Sequence, residues 1–215
     1  MIDNAKPSRE YIDVLSNSSK IIAKNLKNKI NYEGLRVLDF GAGTGNIAHE
    51  LQLTGATKVT AYEPSKSFQD HIKTFHPSLN LECKLTSVDI FEYDIVFCNS
   101  VIQYMNSNEL NEILNIFLKN NNIKIILSDV IGKDNIYFDA IFTLGYAVKK
   151  RNLKLIISLL KFYLKIYFNK GETLNYYTKE YFQNYSNSQR VGIIFIKNIG
   201  LSPWRYGCII SNEQD

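Results

Sequence analysis

Residues 37–45 read Val37-Leu38-Asp39-Phe40-Gly41-Ala42-Gly43-Thr44-Gly45. The apolar run Arg36–Phe40 has strand character. It ends at three glycines on alternate positions, and a helical pattern starts near Asn46 and runs to about Leu53. A glycine-rich turn between a strand and a helix lets backbone approach a ligand, because no Cβ intervenes. The first N–H groups of the helix then face that ligand. The spacing narrows the ligand class. A dinucleotide turn places a third glycine where Asn46 stands, and a phosphate-cradling loop needs a Lys and a Ser/Thr where Asn46 and Ile47 follow Gly45.

The pattern is D-x-G-x-G-x-G, and it resembles the first motif of the class I methyltransferases that use S-adenosylmethionine. The other reading is a strand–turn–helix of an unrelated α/β protein. The resemblance implies S-adenosylmethionine as cofactor, S-adenosylhomocysteine (SAH) as product, and cofactor contacts at Asp39, Gly41, Ala42, Gly43, Gly45 and Asn46. A second strand, Lys58–Tyr62, ends at Glu63-Pro64. An acid about 20 residues past a glycine turn can accept hydrogen bonds from ribose hydroxyls. In the family the matching acid does so for the adenosine, which implies contacts at Glu63 and Pro64; the alternative is a solvated Glu. A buried strand over Ile95–Cys98 leads into Asn99 and Ser100, which the resemblance places against the methionine part of the cofactor. Leu85 and Thr86, with Ser87, fall where the family contacts adenine. Asp89 is either an adenine-side acid or a turn residue.

Composition sets outer bounds. A 215-residue chain with 45% hydrophobic and 21% charged residues can bury a core and should fold as one domain. Cys83, Cys98 and Cys208 lack metal-ligand spacing and read as buried thiols. His49, His71 and His76 form no zinc pattern, so no metal is expected; His49 and His71 read as helix-surface residues. The absence of a leader pattern and of a long apolar span makes a reducing cytoplasm the expectation. A net charge of +4 spread along the chain does not point to nucleic acid. Asn99-Ser100-Val101-Ile102 also stands where base methylases carry Asn-Pro-Pro-Tyr or Pro-Cys.

The element order predicts a doubly wound, mostly parallel seven-stranded sheet. N-terminal helices fill residues 1–34. Strand three is expected near Leu81–Leu85, a helix over Glu109–Asn120, and strand five over Ile123–Leu127. Gly192–Ile199 and Arg205–Ser211 read as an antiparallel hairpin, which the family also uses to close its sheet. Residues 132–190 read as a helical cap within the domain. In it, Leu153–Phe168 is an apolar helix candidate with Lys154, Ser158, Lys161 and Lys165 on one narrow stripe. It has three destinations: a cap over the site, a homo-oligomer interface, or peripheral contact with a membrane surface. It is too short and lysine-rich to span one. Thr178 reads as a helix N-cap, with Tyr181 and Phe182 as core.

Methyl transfer is an in-line attack on a sulfonium carbon, so alignment and exclusion of water dominate. A hydroxyl acceptor also needs a base. Asp129, just past strand five, is the candidate. Gln103 and Tyr104 are placed to orient the acceptor and Tyr11 to close the site. Lys133, Lys149, Lys150, Arg151, Arg190 and Arg205 are candidate anion contacts or solvated surface. The expected reaction is methyl transfer to an oxygen of a small polar metabolite, with a phosphate- or nucleotide-bearing surface-glycan precursor as the class suggested. The alternatives are N-methylation of a small amine and a non-catalytic cofactor-binding scaffold.

Overall fold

The computed structural model describes residues 9–132, 136–149, 157, 174–200 and 202–212. Strands β1 (Arg36–Phe40), β2 (Lys58–Tyr62), β3 (Asn80–Glu82), β4 (Ile95–Asn99), β5 (Lys124–Val130), β6 (Gly192–Lys197) and β7 (Tyr206–Ser211) form one sheet in the order β3-β2-β1-β4-β5-β7-β6. The first five are parallel, while β7 runs antiparallel to β5 and β6. Among the described residues the helices of defined extent are α1 (Arg9–Lys29), α2 (Asn46–Leu53), α3 (Lys66–Phe75), α4 (Ser107–Phe117), α5 (Ile136–Lys149) and, before β6, α6 (Lys179–Gln189). The expected doubly wound architecture closed by an antiparallel hairpin is therefore the observed one.

Side-chain alternation sorts the central strands onto two cores. Leu38, Phe40, Val96, Cys98, Ile125 and Leu127 face one layer, where Leu110, Leu114, Phe117 and Phe182 pack on them. Val37, Ile95, Phe97 and Ile126 face the other, covered by Ile22, Leu26, Leu51 and Ile72. Both faces being covered is why these strands read as continuous apolar runs.

Several boundaries differ from expectation. Strand three stops at Glu82, and Leu85–Ser87 form a 3-10 turn, so Leu85 is not in the strand. Helix α4 starts at Ser107 because Asn106 and Glu109 make a capping box. It ends before Asn120, whose amide donates to the carbonyls of Ile90 and Tyr93 at 3.1 and 3.0 Å. Strand β5 continues to Val130, held by pairing of Val130 with Tyr206 across a register shift after Leu127. The described part of residues 1–34 is one helix, α1. His49 and His71 are half-buried rather than on the surface: the rings of His49 and His76 lie 4.7 Å apart, and His71 stacks on Phe75 at 4.4 Å. Cys98 and Cys208 are buried thiols, whereas Cys83 is only half-buried. Thr178 caps α6 by accepting from the Tyr181 N–H at 3.1 Å. Apart from the exposed Ile157, the helix expected over Leu153–Phe168 lies outside the described residues. Among those described, no helix is long and apolar enough to cross a membrane.

Candidate active site

The turn after β1 is pinned to the end of β2. The N–H groups of Gly41 and Ala42 donate to the Tyr62 carbonyl at 2.8 and 3.0 Å. All three glycines have positive φ, near 77°, 55° and 76° for Gly41, Gly43 and Gly45. Their surroundings differ. A Cβ on Gly41 would meet Val101 Cγ2 at 2.5 Å, and one on Gly45 would meet Ile72 Cγ1 at 2.9 Å. A Cβ on Gly43 would have nothing within 4 Å. Two glycines thus serve packing, and the middle one opens on free space at the carboxyl edge of the sheet, where open α/β sheets bind ligands.

Asp39 is 2% exposed at the end of β1. It accepts from the backbone N–H of Ala48, in the first turn of α2. The N-cap of that helix, Gly45, has no side chain to cap with, so the Asp39 carboxylate does the capping from the neighbouring strand and meets the positive end of the helix dipole. Burial nevertheless pushes its carboxyl from 3.8 up to about 7; the Ala48 N–H opposes this and the charge of Glu63 adds to it. Its second oxygen, Oδ2, is buried without a partner.

Glu63 is 6% exposed. The Gly43 N–H donates to its Oε2 at 2.7 Å and the Ser65 N–H to its Oε1 at 2.8 Å. Burial pushes this carboxyl up, and those two N–H groups pull it back. Each oxygen keeps a lone pair for a further donor. Gln69 fixes the strand end by donating to the carbonyls of Glu63 and Pro64 at 2.9 and 3.1 Å. The Glu63 N–H donates to the Glu82 carbonyl at 3.0 Å, and half-buried Leu85 and exposed Thr86 follow just beyond. Asp89 is exposed and caps a 3-10 turn through the Phe91 N–H, which makes it a turn residue. Asn46 turns inward: its amide donates to Thr44 Oγ1 at 3.0 Å, and its Oδ1 lies 2.9 Å from His76 Nε2. Burial and the neighbouring His49 hold His76 down at about 4, so it stays neutral.

At the ends of β4 and β5, Ser100 and Asp129 both adopt left-handed backbone, with φ near 56° and 62°. Strain of this kind, about 1–3 kcal/mol per residue, persists only where surrounding structure enforces it. Here the enforcement is a side-chain cluster. The Ser100 hydroxyl and the Arg205 guanidinium both donate to Asp129 Oδ2. Asn198 donates through Nδ2 to Asp129 Oδ1 and accepts the Asp129 N–H through Oδ1, both at 3.0 Å. Asn99 Oδ1, Gln103 Oε1 and Ser128 Oγ are buried and unpartnered beside this cluster. Gln103 is buried in the 3-10 turn Ile102–Tyr104, whereas Tyr104 is exposed. The turn is tied to the later chain by the Asn175 N–H on the Gln103 carbonyl at 2.8 Å and the Tyr177 hydroxyl on the Met105 carbonyl at 2.7 Å.

The structure therefore gathers Asp39, Gly41–Gly45 and Glu63 into one half of a site and Asn99, Ser100, Gln103, Tyr104 and Asp129 into the other. Tyr11 lies in α1, its side chain outside the described residues. Of the basic candidates, Arg205 joins the cluster, Arg190 is the left-handed C-cap of α6, and Lys149 is exposed at the end of α5. Lys133, Lys150 and Arg151 lie outside the described residues. Sequence reasoning missed Asn198 and the coupling of Ser100 to Asp129. No local pattern marks contacts made 69 and 29 positions apart in the chain. Among the described residues no cluster of three metal-ligating side chains occurs.

Residues 38–120 match the family described as "Methyltransferase domain". No curated protein matches the sequence. Among solved structures, the chain is similar to the magnesium protoporphyrin IX methyltransferase of Synechocystis PCC 6803 with bound SAH. The TM-score is 0.57 at 16% identity, over 96% of this chain and 87% of that one. It is also similar to the plantazolicin methyltransferase BpumL in complex with SAH (TM-score 0.59, 14% identity, 96% and 91% covered). A third neighbour is DesVI of Streptomyces venezuelae (0.62, 9%, 94% and 96%). At these identities the likeness is one of fold. Residues 38–120, under half of the chain, thus match a methyltransferase-domain model, and the chain as a whole shares the fold of these methyltransferase structures.

Proposed function

We propose that the protein is an S-adenosylmethionine-dependent methyltransferase that methylates an oxygen of a small polar metabolite. A phosphate- or nucleotide-bearing glycan precursor is the acceptor class we favour. The observation that carries the cofactor half is the open face of Gly43 between two buried acids, Glu63 with a spare lone pair on each oxygen and Asp39 with an unpartnered one. Glu63 would hold the ribose hydroxyls, with Pro64 shaping the turn below. Asp39 Oδ2 and Asn99 Oδ1 are acceptors suited to an ammonium, which the amino acid portion of the cofactor supplies. Leu85 and Thr86 would flank the adenine.

The acceptor half is Gln103, Tyr104 and Asp129, with Arg205 as the anion contact; Ser100 would face the methionine part of the cofactor beside Asn99, and Tyr11 would close the site. Methyl transfer from a sulfonium needs little electrostatic help to release its neutral thioether, so the protein's task is alignment. Asp129 is already engaged by a guanidinium, a hydroxyl and an amide. Those three donors occupy most of its lone pairs and leave one, on Oδ1, to receive an acceptor's proton. So crowded, it best suits an oxygen already ionised at neutral pH, and equally an amine that arrives as the free base, the second reading. The test is calorimetric titration of the protein with SAH beside Asp39→Ala and Glu63→Ala, followed by transfer of labelled methyl to phosphorylated, sugar and amine acceptors. Binding lost in both variants supports the assignment. No binding to folded parent protein sinks it, and binding without turnover on any acceptor favours a scaffold.

A further inference from the structure

His76 braces the glycine turn from the far end of α3. It is the C-cap of that helix, with its N–H on the Ile72 carbonyl at 2.8 Å and its own carbonyl accepting the Leu79 N–H at 3.0 Å. This anchoring sets the imidazole against the turn after β1. Its Cδ2 lies 3.4 Å from where a Cβ on Gly45 would stand, and Ile72 Cγ1, one helical turn earlier, lies 2.9 Å from the same point. The His49 ring of α2 packs on it at 4.7 Å.

The polar side of the ring faces a relay that runs one way. The Asn46 amide donates to Thr44 Oγ1 at 3.0 Å, so its carbonyl oxygen Oδ1 faces His76 Nε2 at 2.9 Å. Nε2 then carries the hydrogen and Nδ1 the lone pair. Nδ1 is buried without a partner, so a second proton there would lack an acceptor, and the ring serves as a neutral donor. Asn46 is the first residue of α2, and both polar ends of its side chain are taken by this relay. Thr44 is 4% exposed and stands between Gly43, whose N–H is held by Glu63, and Gly45. The relay thus ties α3 to the residue beside Gly43, the glycine that opens on free space. Asp39 and Glu63 fix the same turn from the ends of β1 and β2. A site made of backbone is only as well placed as such supports make it. We propose that His76, acting through Asn46, is a positioning residue for cofactor binding at the Gly43 turn. The inference rests on the cofactor half of the proposed function.

Two substitutions separate the hydrogen bond from the packing. His76→Phe keeps a ring against Gly45 and His49 and loses the N–H. His76→Gln keeps a side-chain N–H at a similar reach and loses the ring. SAH affinity is read by calorimetry and stability by urea unfolding, on the full chain. The set is the parent, both variants, Asn46→Ala, and Asn46→Ala combined with His76→Phe. The expected result is SAH binding about tenfold weaker in His76→Phe and in Asn46→Ala, and no weaker again in the double variant, because the same hydrogen bond is removed from either end. His76→Gln should recover most of the affinity even where it is the less stable of the two His76 variants. Three results overturn the inference while leaving the cofactor reading in place: unchanged affinity in Asn46→Ala, which removes the bond without touching the ring; affinity in His76→Gln no better than in His76→Phe; or losses that add in the double variant. A folded parent that does not bind SAH would overturn both.

Discussion

Asp39→Asn separates the electrostatics of the buried acid from its shape. In the folded protein, burial beside Glu63 holds the Asp39 carboxyl at about 7, against 3.8 ordinarily. Below pH 3.8 both folded and unfolded chains carry the proton, and the group makes no difference to stability. Between 3.8 and about 7 the unfolded chain has lost the proton and the folded one keeps it. Folding then takes up a proton, and stability falls as pH rises, by about 1.4 kcal/mol per pH unit at most. Above about 7 the full cost has accumulated, about 4 kcal/mol for a span of about three pH units. Asparagine has the shape of the neutral acid and does not titrate. The variant should therefore be more stable than the parent at pH 8 by up to about 4 kcal/mol, with at least half of that advantage gone at pH 5. Urea unfolding of both proteins across this range measures it, and the comparison cancels every other titrating group. A difference that stays constant from pH 5 to 8 would refute the reasoning, since Asp39 would then titrate alike in both states. Saturating SAH should flatten the parent's slope, because an ammonium at Oδ2 favours the ionised acid.

The glycines should separate by substitution. Gly41→Ala forces a Cβ to within 2.5 Å of Val101 at a φ near 77° and should cost about 2–5 kcal/mol in urea unfolding, with Val101→Ala recovering the steric part only. Gly43→Ala, at open space, should cost about 1 kcal/mol of stability from its φ alone yet abolish SAH binding by calorimetry, and unchanged binding would remove the cofactor from this turn. Asp129→Asn leaves Arg205 without its carboxylate in a site where both side chains are less than one-fifth exposed, and should cost about 2–4 kcal/mol. Turnover falling far more than the SAH affinity in that variant would support a role at the acceptor, whereas equal losses would indicate framework only. Tyr177→Phe strands the Met105 carbonyl and should cost about 1 kcal/mol with SAH affinity unchanged, measured by thermal unfolding and titration.

Much of this was legible in the chain itself. Asp39, the glycines at alternate positions and Glu63 sit on short strands and the turns that follow them, so local pattern placed them within a residue of where they are found. The sheet order follows from alternating apolar strands and helices, because parallel strands need right-handed crossovers. Two of the misplaced boundaries were set by contacts between segments far apart in the sequence, one through backbone pairing and one through a side-chain amide. Strand β5 runs on to Val130 because β7 pairs there, and α4 gives way before Asn120 because that amide bonds to Ile90 and Tyr93.

The sequence by itself thus determined the scaffold and the glycine turn after β1, since both depend on spacing and on residue type over a few positions. Only the tertiary structure decided what each polar group has left to offer. Asp129 reads as a free base in sequence, and the fold surrounds it with Ser100, Asn198 and Arg205. Gly41, Gly43 and Gly45 read alike, and the packing of Val101 and Ile72 leaves only Gly43 facing open space. The physical reason is the same in both cases. A side chain's chemistry depends on its nearest donors, charges and atoms, and here those come from segments that only the folded sheet brings together.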